Sequence, residues 1–238
     1  MVAYRVPRRE GIVTGRSKCP HCGTQISALE NVPVISYLVQ RGKCRHCGAR
    51  ISPRYPLTEA VTAVLFVMAV LHFEITFTAF VYAALFWILV VLTVIDLEHK
   101  LLPNRVVYPS IIVGAIAITI AAFVDGDPDR LRTAALGAAT FGGFLFVVAF
   151  IYPAGMGGGD VKLAILLGLF VGYSGGVGVT LVAMFLSFLI GAIVGVAVMV
   201  IGGGGRKTAV PFGPFLAAGT VIAIVYGRSI LDAYLAGF

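Results

Sequence analysis

The sequence predicts an all-α polytopic membrane protein, with about seven transmembrane helices and a small N-terminal cytoplasmic head that binds zinc. Three observations carry this expectation. The 238 residues are 59% hydrophobic and only 12% charged, against roughly 45–50% apolar and about 25% charged residues in soluble domains. From Pro56 onward the chain is a series of apolar runs separated by short polar breaks. Before that point it is polar and basic, and it holds all four cysteines.

The head comes first. Residues 1–55 contain Cys19-Pro20-His21-Cys22, then 21 residues, then Cys44-Arg45-His46-Cys47, with Gly23 or Gly48 closing each half. Two CxxC knuckles at this spacing predict a tetrahedral structural zinc site with Cys19, Cys22, Cys44 and Cys47 as thiolate ligands. Each knuckle must bend sharply, and the following glycine tolerates the turn. Zinc would hold together a segment too small to build much core. Two disulfides or a redox-active thiol pair are the rival readings, and a cytoplasmic location disfavours stable disulfides. Four thiolates complete the shell, so His21 and His46 read as solvent-side residues and the metal as non-catalytic.

Ten of the 18 Lys and Arg fall in residues 1–54, opposed by Glu10 and Glu30 alone. A basic segment beside membrane spans faces the cytoplasm and anionic headgroups, so the lipid bilayer rather than nucleic acid is the expected partner. No signal peptide is visible, because the first apolar run starts only near Leu57.

The transmembrane part, 56–238, reads as spans near 57–73, 77–96, 106–124, 132–152, 161–173, 177–201 and 211–235, each judged against the ~20 apolar residues a bilayer requires. The fifth is short and flanked by glycine. With the head inside, counting spans puts Asp96–Arg105, Pro153–Asp160 and Gly202–Lys207 on the cytoplasmic side. The three-aspartate loop Asp125–Asp129 then falls outside. Arg130 and Arg132 fall outside too, against the positive-inside tendency.

Asp96 and Asp160 are 64 residues apart, yet this parity places both at cytoplasmic helix ends, where they can meet. Asp96 follows the apolar run Ile88–Ile95, and Asp160 closes Gly155-Met156-Gly157-Gly158-Gly159. An ionisable residue at the edge of a span is expensive and marks a candidate functional site. Two carboxylates suit peptide hydrolysis, one taking a proton from water and the other polarising the carbonyl. The glycines would let backbone approach a substrate closely. From the residues alone, catalysis and ordinary interfacial charge both stay open. Glu98, His99, Lys100 and Lys162 read as interfacial or substrate-side charges. Glu59 sits where the head meets the first span.

Several segments together resemble type IV prepilin peptidases. The stretches Cys19–Gly23, Val32–Leu38, Arg41–Cys47 and Ile51–Glu59 resemble that family's cytoplasmic domain. Asp96 with Leu102-Pro103-Asn104 resembles its first aspartate segment, Gly157–Leu163 its GxGD signature, and Val210–Leu216 its C-terminal motif. These matches run in order over nearly the whole chain. The resemblance begins inside the family pattern, after a further span that members commonly carry, and Asn104 stands where many relatives have Asp.

The resemblance implies a GxGD membrane aspartyl endopeptidase of the inner membrane. It would cut a basic leader from type IV prepilins or pseudopilins at the cytoplasmic face, with Asp96 and Asp160 as catalytic carboxylates. Gly157, Gly158, Gly159 and Lys162 would form the substrate-side loop. Some members also methylate the new N-terminus with S-adenosylmethionine, and the head is associated with that activity. A transporter binding cations at the two Asp is the main competing class, but such sites lie near the midplane rather than at one face.

Overall fold

The computed structural model describes residues 17–153, 156–201 and 210–237. Residues 1–16 of the head, Gly155, and the Arg206–Lys207 pair lie outside the described residues. The described residues are helical apart from turns and two isolated β-bridges. The chain divides into two compact units at Met68–Ala69.

The first unit begins with two knuckles of the same build. In the first, Cys19 N–H donates to Thr24 O at 2.9 Å and Gly23 N–H returns to Cys19 O at 2.9 Å. In the second, Cys44 N–H donates to Ala49 O at 2.8 Å and Gly48 N–H to Cys44 O at 2.9 Å. Gly23 and Gly48 have φ of 72° and 69°, in the left-handed region that glycine enters without strain. A 3₁₀ turn, Leu29–Asn31, and a short helix α1, Ile35–Val39, separate the knuckles. Val34, just before α1, has φ 61°, a strained value for a β-branched residue. The Glu59 carboxylate holds it there by accepting the Val34 N–H at 2.8 Å. Helix α2, Arg54–Phe73, follows.

The remaining helices are α3 (Phe77–His99), α4 (Asn104–Val124), α5 (Arg130–Ile151), α6 (Gly158–Ile201) and α7 (Gly213–Leu235). With α2, six helices are long and apolar enough to cross a membrane. The longest, α6, has 44 residues; run straight it would measure about 66 Å, twice the ~30 Å hydrocarbon core. It is not straight. Gly176 adopts φ 75°, ψ −169° and breaks it in two. No residue with a Cβ adopts that backbone readily.

The neighbours of the two halves show that the chain turns back at this point. Before the break, Gly168 and Gly172 touch Gly137 and Thr133 of α5. Beyond it, Gly178 faces Leu231, Gly219 faces Ser187, and Gly191 faces Phe212 and Phe215. These contacts walk back along α7 toward its start. The halves therefore correspond to the expected spans 161–173 and 177–201, and the seven-span reading matches six helices with one broken.

Glycine also sets how closely the bundle packs. A Cβ on Gly137 or Gly168 would collide with the other's carbonyl oxygen, so α5 and the first half of α6 meet backbone to backbone. This small-residue contact is the usual device where no water drives helices together. Tyr82, fully buried, donates its hydroxyl to Phe170 O at 2.7 Å and packs on Phe73 and Phe170. Together these contacts fix the register of α3 against α6.

Candidate active site and metal centre

The last turn of α3 carries Asp96. The helix stops because Lys100 takes the left-handed conformation, φ 51°, with its N–H on Asp96 O at 2.8 Å. Leu101 is exposed, Leu102 is buried, and Pro103 then opens α4 with its fixed φ of −66°. This three-residue crossing brings Asn104 beside the aspartate. Asp160 lies in the first turn of α6, with its N–H on Gly157 O at 3.0 Å. The start of α6 thus lies at the same end of the bundle as the end of α3.

Asp96 and Asp160 line one cavity of about 450 Å³, together with Lys100, Leu102, Asn104, Gly158, Gly159 and Lys162. Asp96 is buried, only 5% exposed, and Asp160 is half-buried. The Oδ2 atom of Asp96 accepts the Gly213 N–H at 3.0 Å. Gly213 is the first residue of α7, where backbone donors are free and the helix dipole favours a carboxylate. A Cβ on Gly213 would lie 2.6 Å from that oxygen, and a Cβ on Gly159 would lie 2.9 Å from Leu102 Cβ. A Cβ on Gly157 would lie 3.2 Å from Asp160 Oδ2. Only hydrogen fits at Gly213 and Gly159, so α7 and the start of α6 close directly onto the site.

Lys162 does not point freely at the carboxylates. Its ammonium donates to Asn104 Oδ1 at 2.9 Å and sits 4.9 Å from the Tyr108 ring centroid. Asn104 supplies the acceptor that holds the ammonium away from the carboxylates. Glu98 and His99 lie 4.0 Å apart at the end of α3.

In the first unit, the sulfurs of Cys19, Cys22, Cys44 and Cys47 all lie within 4.8 Å of one another. The Cys19 and Cys47 sulfurs are 3.9 Å apart. Tetrahedral zinc with Zn–S near 2.3 Å places neighbouring sulfurs about 3.8 Å apart, so this donor set fits a metal ion. The thiols also respond to their surroundings. A hydrogen bond from the Thr24 hydroxyl, then from its backbone, lowers Cys22 to about 6. Backbone N–H groups of Cys47 and His46 lower Cys44. At Cys47 a hydrogen bond from the Ala49 backbone lowers the thiol, but desolvation and the sulfurs of Cys44, Cys22 and Cys19 outweigh it and push it up to about 11. Four crowded sulfurs, some biased toward thiolate, are an arrangement that a cation relieves. His46 is exposed and lies 3.8 Å from Glu30. His21 is exposed as well.

Comparison with known proteins gives the family. Residues 1–73 match the bacterial peptidase A24 N-terminal domain, and residues 83–196 match the type IV leader peptidase family. A prepilin leader peptidase/N-methyltransferase of Bacillus subtilis is 37% identical over 231 residues, covering 97% of this chain and 90% of the relative. The chain belongs to the type IV leader peptidase family. The same-named protein of Legionella pneumophila is 36% identical over 92% of this chain and 75% of its own length. That of Pseudomonas aeruginosa is 37% identical over 95% and 78%. No solved structure matches the chain. As a member of this family with six helices able to cross a bilayer, it is a multi-pass membrane protein.

Membership also organises what the residues alone missed. Gly213 lies in the Val210–Leu216 stretch that resembles a motif of these peptidases, yet nothing in its spacing announced that its N–H would hold Asp96. Leu102, within the first aspartate segment, carried no role of its own, whereas in the fold its side chain sets how near Gly159 can come. The only signal for either was the motif itself.

Proposed function

We propose that this chain is an aspartyl endopeptidase that removes the basic leader from type IV prepilins or pseudopilins, with Asp96 and Asp160 as its catalytic pair. The observation that carries the reading is that these two aspartates, far apart in sequence, line one open cavity at one end of the helical bundle. Paired carboxylates close together share a proton, which gives one basic and one acidic partner. The basic partner takes a proton from water as the water oxygen attacks the scissile carbonyl. The acidic partner holds the carbonyl oxygen and returns a proton to the leaving amine as the C–N bond breaks. Water is consumed, and one acid and one amine result.

The remaining residues take supporting roles. The Gly213 N–H holds one Asp96 oxygen, so that carboxylate meets substrate in a fixed orientation. The expected glycine loop is instead Gly157 followed by the first helical residues of α6, Gly158 and Gly159; Gly158, where a Cβ would meet nothing within 4 Å, leaves the cavity edge free of side chains for a substrate, and Lys162 stands at the cavity's rim on Asn104. The cavity lies at the ends of α3 and α6, which suits a cleavage point beside a pilin helix still seated in the membrane. We assign this end to the cytoplasmic face of the inner membrane, on the basic head and the parity of the spans. The four cysteines hold a structural zinc, which takes no part in hydrolysis because four thiolates leave no open position.

Relatives are also named N-methyltransferases, an activity that requires S-adenosylmethionine. The two cavities described here do not fit that donor. The one at the aspartates has no aromatic wall, and the other, of about 240 Å³, has no carboxylate for a ribose. Transfer of a labelled methyl group from S-adenosylmethionine to a cleaved pilin peptide would add the second activity, and no transfer would confine the chain to cleavage.

Incubating the purified chain with a membrane-embedded prepilin and sequencing the product's new N-terminus tests the peptidase reading. No cleavage of any prepilin or pseudopilin by a folded chain would sink it. A finer test targets the Asp96 contact. Gly213→Ala places a methyl group against Oδ2 and should lower the cleavage rate about 100-fold, the order expected when a reacting group is misplaced by about 1 Å. Gly143→Ala, whose Cβ meets nothing within 4 Å, should cleave as the parent does.

A further inference from the structure

The end of the bundle opposite the aspartates holds a second cavity of about 240 Å³. It is lined by His72 near the end of α2, Arg130 at the start of α5, Ser174 and Val179 on either side of the α6 break, and Ile224 and Arg228 of α7. Its charged lining is cationic throughout, and no carboxylate lines it. Arg130 is oriented in two ways: its Nε donates to Asp127 at 2.8 Å, and its guanidinium carbon lies 5.7 Å from the Tyr173 ring centroid. Its terminal nitrogens are not spent in that bond. Asp125, the nearby acid, is occupied by the Thr78 hydroxyl at 2.7 Å and the Tyr173 hydroxyl at 3.0 Å. Among the described residues no carboxylate forms an ion pair with Arg228.

We propose that this cavity binds the phosphodiester headgroup of an anionic membrane phospholipid, with Arg130 and Arg228 on the phosphate and His72 at its edge. The guanidinium fork is the side chain best matched to phosphate oxygens. The wall opposite, Val179 and Ile224, is apolar, and two residues further along the same helices Leu181 and Tyr226 are exposed. That combination suits a headgroup with its glycerol and acyl chains better than a free inorganic ion. Basic pockets between membrane helices are recognised as sites for anionic headgroups. The inference rests on the membrane-spanning helices and is independent of the peptidase assignment.

The test uses the full-length chain, delipidated in detergent and returned to phosphatidylglycerol or phosphatidylcholine. Lipid retention is read by native mass spectrometry and thermal stability by melting. Wild type and Arg105→Gln, a change at the aspartate end, should retain phosphatidylglycerol over phosphatidylcholine and melt higher with it. Arg228→Gln should retain phosphatidylglycerol about ten-fold more weakly, the loss expected for one charge-assisted contact, and should lose most of the melting shift. Unchanged retention by Arg228→Gln overturns the proposal. An equal shift from inorganic phosphate alone overturns the lipid assignment. Should Arg228→Gln fail to fold, Arg228→Lys keeps the charge without the fork: retention at least three-fold weaker supports the site, and wild-type retention overturns it.

Discussion

Asp96→Asn and Asp160→Asn should each lower prepilin cleavage by about 1,000-fold, roughly 4 kcal/mol of transition-state stabilisation, while leaving the fold intact. Each substitution replaces a carboxylate with an amide of the same shape. At position 96 the amide oxygen can still accept the Gly213 N–H, so the packing of α3 against α7 has no reason to change. What is lost is the ability to carry a proton. Two groups acting as one proton-sharing unit are not additive, so the double variant should be little worse than either single one. Initial cleavage rates on a membrane-embedded prepilin, paired with melting temperatures, check this. A near-parental rate in either variant would remove that aspartate from the chemistry. A rate loss accompanied by a collapsed melting curve would instead make the residue structural.

The second large effect concerns the metal. The purified chain should carry one zinc per molecule, and Cys19→Ser/Cys22→Ser should carry none. Structural zinc sites contribute apparent binding free energies of about 10–16 kcal/mol, comparable with the whole stability of a domain, about 5–15 kcal/mol. The first unit has little else to hold it: of its cysteines only Cys19 is buried, and Leu29, Ile35, Leu38 and Val39 are exposed. Limited proteolysis should therefore cut the double-serine variant within residues 17–55 at least ten times faster than the parent. The aspartate pair lies in the second unit, so its cleavage chemistry should be far less affected. Metal analysis together with the proteolysis time course decides it. A zinc-free parent with an intact head would overturn the structural metal, and a protease-resistant double-serine variant would do the same.

Much of the architecture was legible before any coordinates. Hydropathy located every long helix to within a few residues, because a bilayer-spanning segment must be both long and apolar. The paired CxxC spacing announced a cysteine cluster, since a knuckle with glycine in the left-handed region closes locally and needs no distant partner. The break within α6 was visible as the glycine-rich gap Ser174-Gly175-Gly176 between two expected spans.

Other features had no local signature. The Gly213 N–H on Asp96 spans 117 residues of sequence, and hydropathy treats Gly213 as one small residue among many. Lys162 reads as a lone charge beside an aspartate, yet its partner is Asn104 on another helix. Arg130 and Arg228 are nearly a hundred positions apart, and only the return of the chain at Gly176 lets α5, α6 and α7 frame one cavity.

The sequence by itself therefore determined the membrane class, the order of the apolar segments, the cysteine cluster and the two aspartates as a candidate pair. Each depends on composition, on the spacing of short motifs, or on counting spans along the chain. Only the tertiary structure decided which backbone amide holds Asp96, which partner occupies Lys162, and where two distant arginines converge. Those are properties of helices packed at backbone contact, through Gly137, Gly168 and Gly213, and no single helix encodes which neighbour will lie against it.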